Sequence, residues 1–151
     1  MKAIVLTYAP VEESEKEILK NTKIFKIALN SHAEEFNPDL RICSDYILSD
    51  LCRKFSQKIV SVREKLRYES KRVEYFDKFS GSTIVSAIEY LMFKGYSNIL
   101  IIGDNKVNTK KLQKEINKCL EPLSNEACIY QYTKGNFKLK VMSITNFCKY
   151  L

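Results

Sequence analysis

Histidine is almost missing from these 151 residues: His32 is the only one. A His-rich metal site or a Ser-His catalytic pair would have to be built around that imidazole, which reads instead as a surface or capping residue. Cys43, Cys52, Cys119, Cys128 and Cys148 are odd in number, and their spacings match no zinc or redox motif. They are expected to be reduced thiols packed as small hydrophobes. Glycine and proline are scarce, at four and three residues, and no Gly/Ser/Pro linker divides the chain. No repeat with a period of about 20 to 50 residues recurs. A single domain over residues 1–151 is expected. No apolar run approaches the roughly 18 residues of a membrane span. Residues 11–20 are dense in Glu and Lys, which is unlike a signal-peptide cleavage region. These absences point to a cytoplasmic protein.

What is present is ordinary for a folded domain: 45% hydrophobic and 28% charged residues. The net charge of +7 favours an anionic partner, whether a nucleotide, a nucleic acid or an acidic surface. Part of the excess lies in "CRKFSQKIVSVREKLRYESKR", Cys52 to Arg72, where Lys and Arg crowd against only Glu64 and Glu69. That segment reads as a solvated basic face. No recognised RNA- or DNA-binding motif accompanies it, so nucleic acid is not the expected partner.

The pattern alternates between strands and helices. "KAIVLT", Lys2 to Thr7, reads as a buried first strand. A helix over Val11 to Asn21 follows, with Val11, Ile18 and Leu19 as its apolar positions. Strands are expected at 23–30, 40–45 and 58–62, with a helix at 46–55 and a loop over 63–78 that holds a short strand at "RVEYF". Ser80-Gly81-Ser82 supplies capping chemistry for a helix that presents Ile84, Val85, Ile88, Leu91 and Met92, and Gly95 closes it. "NILIIG", Asn98 to Gly103, is the most apolar strand and belongs at the centre of a parallel sheet. A helix to about Leu120 with Pro122 past its end, strands at 127–132 and 139–144, and a short terminal helix complete the chain. The expected fold is a three-layer α/β/α Rossmann-like sandwich with a mostly parallel sheet of about six strands.

In such sheets ligands bind beyond the carboxyl ends of the strands, where helix N-termini offer amides to anions. The strand ends therefore supply the candidate binding residues: Tyr8 beside Thr7; Asn30; Ser44 and Asp45; Ser80, Gly81 and Ser82 beside Thr83; and Gly103, Asp104 and Asn105. Each also has a local role open to it. The serines can simply cap a helix, and Asp104-Asn105 can form a turn closed by its own side chains. No catalytic residue is assigned.

The block "SG…AIEYLMFKGYSNILIIGDN" resembles the core of the bacterial sialyltransferases and of related Rossmann-like proteins. Those relatives include the motility accessory factors and the MptE-like 6-hydroxymethylpterin diphosphokinases. In that block a Ser-Gly opens a helix, a Gly-Tyr precedes a strand, and a Gly with a nearby Asp ends it. The resemblance implies that Ser80 and Gly81 line a nucleotide or donor pocket, that Asn30 contacts the nucleotide, and that Asp104 or Asn105 faces sugar or phosphate. Where those families carry a glycine-rich turn after the first strand, this chain has "TYAPVEE". A β-carbon at those positions obstructs close approach of backbone to phosphate. From Asn105 the chain also passes within a few residues to a new helix, with no room for the families' lid. Two readings follow: a minimal sialyltransferase-like glycosyltransferase core that takes a nucleotide or nucleotide sugar, or a non-catalytic interaction module that binds a protein partner or a second copy.

Overall fold

A computed structural model describes residues 1–7, 10–44, 48–62, 72–78, 81–103, 110–134 and 137–150. Eight strands form one sheet: β1 (Lys2–Leu6), β2 (Phe25–Leu29), β3 (Leu40–Cys43), β4 (Lys58–Ser61), β5 (Val73–Tyr75), β6 (Asn98–Ile102), β7 (Cys128–Gln131) and β8 (Lys140–Val141). They lie in the order β5-β4-β3-β2-β1-β6-β7-β8, and every pair is parallel. The expected Rossmann-like sandwich is thus observed. The count exceeds six because the three-residue β5 and two-residue β8 extend the sheet at its two edges.

Parallel strands need crossovers, and helices on both faces supply those after the first, third, fifth and sixth strands. The helices are α1 (Glu13–Asn21), α2 (Leu48–Lys54), α3 (Thr83–Phe93), α4 (Lys110–Leu123) and α5 (Ile144–Tyr150). Strand periodicity of two divides the apolar side chains between the faces. Ala3, Val5, Ile27, Ile42, Val60, Ile99 and Ile101 pack under α3 and α4. Ile4, Leu6, Ala28, Leu100 and Ile102 pack under α1 and α5, while Cys43 and Ile59 pack under α2 on that same second face. In α3, Ile84, Val85, Ile88 and Leu91 are wholly buried, each worth about 1.5–3 kcal/mol once removed from water. The helix ends at Gly95, as its sequence implies.

Three local expectations need correction. The helix α1 begins at Glu13, two residues later than expected, and buries Glu15 and Leu19 in line with Val11 just before it, leaving Ile18 exposed. Glu15 can sit inside because its carboxylate accepts from the Tyr132 hydroxyl (2.9 Å), the Thr145 amide (2.7 Å) and the Thr145 hydroxyl (3.0 Å). Ile144 opens α5 instead of ending β8. The same carboxylate, together with Ser143 Oγ receiving the Asn146 amide at 3.1 Å, satisfies donors of that helix's first turn. Pro122 lies within α4, whose last turn still closes through the Ser124 amide to Leu120 O at 2.9 Å. A proline so near the C-terminus removes only one donor.

Candidate functional site

The order of the sheet places the reversal of winding between β1 and β6. From β1 the chain winds outward through β2 to β5; α3 then carries it back to β6 on the other side of β1. The two strands run in register from Lys2↔Asn98 to Leu6↔Ile102, and the Thr7 amide extends the ladder to Ile102 O at 2.9 Å. The helices that follow these two strands, α1 and α4, pack on opposite faces of the sheet, and such sheets bind ligands beside a reversal of this kind.

Thr7, Asn30, Ser44 and Gly103 stand at the carboxyl ends of neighbouring strands, and Ser82 and Thr83 open α3. Ser44 Oγ and Thr83 Oγ1 lie 2.7 Å apart, so the end of β3 is tied to the first turn of α3. Gly81 has φ +83 and open space where a Cβ would project, so the entry to α3 uses a conformation that disfavours any side chain although nothing crowds it. Gly103 has φ +117 at the end of β6. Tyr8, Asp45, Ser80, Asp104 and Asn105 lie outside the described residues. Part of the basic segment, 63–71, does so as well. Its last residue, Arg72, donates to Phe55 O (2.8 Å) and Cys52 O (2.6 Å) at the C-terminal end of α2.

The rim stands out in its hydrogen bonding. Among the described residues, the buried side-chain oxygens without a partner are Thr7 Oγ1, Asn30 Oδ1 and Ser82 Oγ. All three sit on this edge of the sheet. Ser82 holds the N-cap position of α3 with extended backbone, yet its hydroxyl caps no amide. No acidic residue occupies the first turn of α3, so its N-terminal amides and dipole face no anion of the helix's own first turn. An unpaired buried polar group costs about 1–3 kcal/mol, and a ligand or water that supplied partners would recover that cost.

Asn30 is held by a residue the strand pattern does not flag. Arg41, wholly buried, donates to Asn30 O (2.9 Å) and His32 O (2.7 Å), to Gln57 Oε1 (3.3 Å) and to the Glu34 carboxylate. Its guanidinium lies 3.7 Å from the centre of the Phe55 ring. It thereby pins a turn in which Asn30, Ala33 and Asn37 all take positive φ. Left-handed backbone costs a non-glycine residue roughly 1–2 kcal/mol, least for Asn. His32 enters this turn through its carbonyl. The signal available from sequence is a charged residue in mid-strand, flanked by Leu40 and Ile42, where a doubly covered sheet calls for apolar side chains.

The opposite, amino-terminal edge is closed by cations. Lys26 Nζ donates to Leu19 O (3.1 Å) and Lys20 O (3.3 Å) at the end of α1; burial pulls its pKa below the ordinary lysine value, against the opposing pull of Asp39. Lys2 Nζ donates to Phe147 O (3.1 Å) at the end of α5. On the first face Glu74 accepts from Tyr90 Oη at 2.8 Å and lies 3.2 Å from Lys94 Nζ and 3.4 Å from Lys58 Nζ. Burial pushes its carboxyl up, but the Tyr90 hydroxyl and the two lysines outweigh that and hold it below the ordinary range. Burial and the Glu74 carboxylate raise Tyr90 well above a normal phenol.

All five cysteines are free thiols. Among the described residues no group of three His, Cys, Asp or Glu side chains is placed to hold a metal ion, and no helix is long and apolar enough to cross a membrane. No family model matches the sequence. The chain is 30% identical over 158 aligned residues to the glycine–tRNA ligase beta subunit of Rickettsia bellii, in strains OSU 85-389 and RML369-C. The match covers 89% of this chain but only 24% of the ligase subunit, so the chain spans about a quarter of the length of the curated relatives it matches.

Proposed function

We propose that the carboxyl-end rim is the binding site of a nucleotide or nucleotide sugar, on a minimal or degenerate core of the sialyltransferase-like kind. The observation that supports this reading is the grouping of the unpaired oxygens of Thr7, Asn30 and Ser82 at the point where the winding reverses. Asn30 Oδ1 can only accept, so it calls for a donor such as a ribose hydroxyl or an exocyclic amine. The hydroxyls of Thr7 and Ser82 can donate, and the first amides of α3 suit a phosphate. A nucleotide carries both kinds of group. The reading is tested by thermal shift against CMP, UDP, GDP and their sugar conjugates. A ligand at a hundred times its Kd adds about 2.7 kcal/mol, and for a domain of this size each kcal/mol moves Tm by about 2–4 °C. An increase of about 5–10 °C is expected for one base class, and a flat panel at millimolar ligand would end the proposal.

The partial match to a ligase subunit favours one second reading, a non-catalytic module that works inside a larger RNA-charging assembly through a protein partner. Co-purification of a stoichiometric partner, with no nucleotide response, would select it.

A further inference from the structure

Beyond both readings, the geometry points to a second binding surface, along α4 and the β8 edge, that takes the sugar-phosphate backbone of a single RNA strand. Lys110, Lys111, Lys114, Lys118, Lys134, Lys138 and Lys140 are exposed. None of them forms an ion pair with another described residue. Over the same stretch only Glu115, Glu121 and Glu126 oppose them, so much of the net +7 gathers at this edge. Lys110, Lys114 and Lys118 recur every four residues, which places them on one stripe of α4 with a rise of about 6 Å between successive ammonium stems.

Four of them, Lys114, Lys118, Lys138 and Lys140, border two adjoining hollows. The first, about 520 Å³, takes Lys114, Lys118 and Lys138 together with Ser124 and Asn125. The second, about 260 Å³, shares Ser124 and Lys138 with it and adds Lys140 along the outer strands β7 and β8. Lysines at a rim with hydroxyl and amide groups between them match the phosphates and ribose hydroxyls of a single strand. The hollows include none of Thr7, Asn30 or Ser82, so this surface does not depend on nucleotide binding at the rim.

The test is fluorescence anisotropy of the whole chain with a labelled oligoribonucleotide of about twelve nucleotides, titrated between about 50 mM and about 200 mM salt. Four or five phosphate contacts predict a slope of log K on log salt of about −3, at about −0.7 per contact. The variant Lys114→Ala/Lys118→Ala/Lys138→Ala should bind at least about tenfold more weakly and lose about 2 from the slope. The control Lys20→Ala/Lys23→Ala/Lys54→Ala removes three exposed lysines that belong to no part of this surface and should bind as the parent does. All six positions are exposed, so both variants keep the fold, which a circular dichroism melt checks. The DNA oligomer of the same sequence should bind more weakly. Absence of RNA binding at low salt, an equal response of the two variants, or tighter binding to DNA or to anionic vesicles than to RNA overturns the inference.

Discussion

Arg41→Met tests whether the buried guanidinium holds the turn after β2. The substitution keeps an aliphatic stem in the cavity and deletes every donor. The carbonyls of Asn30 and His32, now served at 2.9 and 2.7 Å, lose those partners, at about 1–3 kcal/mol for each group left unsatisfied. The contact with the Phe55 ring at 3.7 Å is desolvated and adds up to about 2 kcal/mol. The Glu34 side chain is half exposed, at 52%, so its freed carboxylate is solvated and contributes little. Allowing for relaxation and for the apolar burial that Met restores, the net loss should be about 3–5 kcal/mol. At about 2–4 °C per kcal/mol that corresponds to roughly 6–20 °C in Tm. Urea unfolding followed by circular dichroism measures it directly. Arg41→Lys should recover only a small part, because a single ammonium cannot serve both carbonyls and stack on the ring. A loss below about 1 kcal/mol for Arg41→Met would refute the reasoning, since a wholly buried guanidinium with this set of partners cannot be removed so cheaply.

Ser82→Ala separates a capping role from a binding role. An ordinary N-cap serine costs about 1 kcal/mol when replaced by alanine, whereas Ser82 Oγ is buried and caps nothing, so the free protein should lose almost nothing or gain up to about 1 kcal/mol; nucleotide affinity should fall about fivefold by isothermal titration calorimetry. Ser86→Ala is the contrast, because Ser86 Oγ donates to Lys78 O at 3.1 Å and its loss should cost about 1 kcal/mol. Glu74→Gln addresses pH. Glu74 is held below its ordinary value of 4.5, so it contributes stability above that pH and loses it as pH falls through the lower folded value. Urea midpoints taken from pH 7 downward should therefore fall less steeply below about pH 4.5 in the variant than in the parent.

The sheet and its helices were legible because strand and helix periods differ and because each apolar run is bounded by turn residues. The buried charges were not. Arg41 and Lys26 occupy mid-strand positions that the hydrophobic pattern treats as errors, and what permits them is the carbonyls of distant residues. The same holds for Glu15. Helical spacing alone cannot choose between Ile18 and Glu15 as the inward residue; Tyr132 and Thr145, more than a hundred positions away, decide it. At the rim, position followed from strand ends alone. Which of those polar atoms would be left without partners did not, because pairing is set by neighbours in space. Ser44 and Ser82 look alike in sequence, yet one is paired with Thr83 at 2.7 Å and the other is not.

The two edges of a parallel sheet are chemically unequal, and this molecule treats them differently. At the amino-terminal edge, helix C-termini present carbonyls, and Lys26 and Lys2 cap α1 and α5 with ammonium groups. Those dipoles are satisfied from within the chain. At the carboxyl-terminal edge, α3 begins with no acid in its first turn and a serine that does not cap. The same stretch of rim holds the unpaired oxygens of Thr7 and Asn30. Had this edge served stability alone, an Asp or Glu at the start of α3 would have been worth about 0.3–1 kcal/mol, and a capping hydroxyl about as much again. Both are missing at the point where the winding of the sheet reverses. Unpaired buried oxygens at one edge, beside ammonium-capped helix ends at the other, are the contrast on which the proposed ligand site rests.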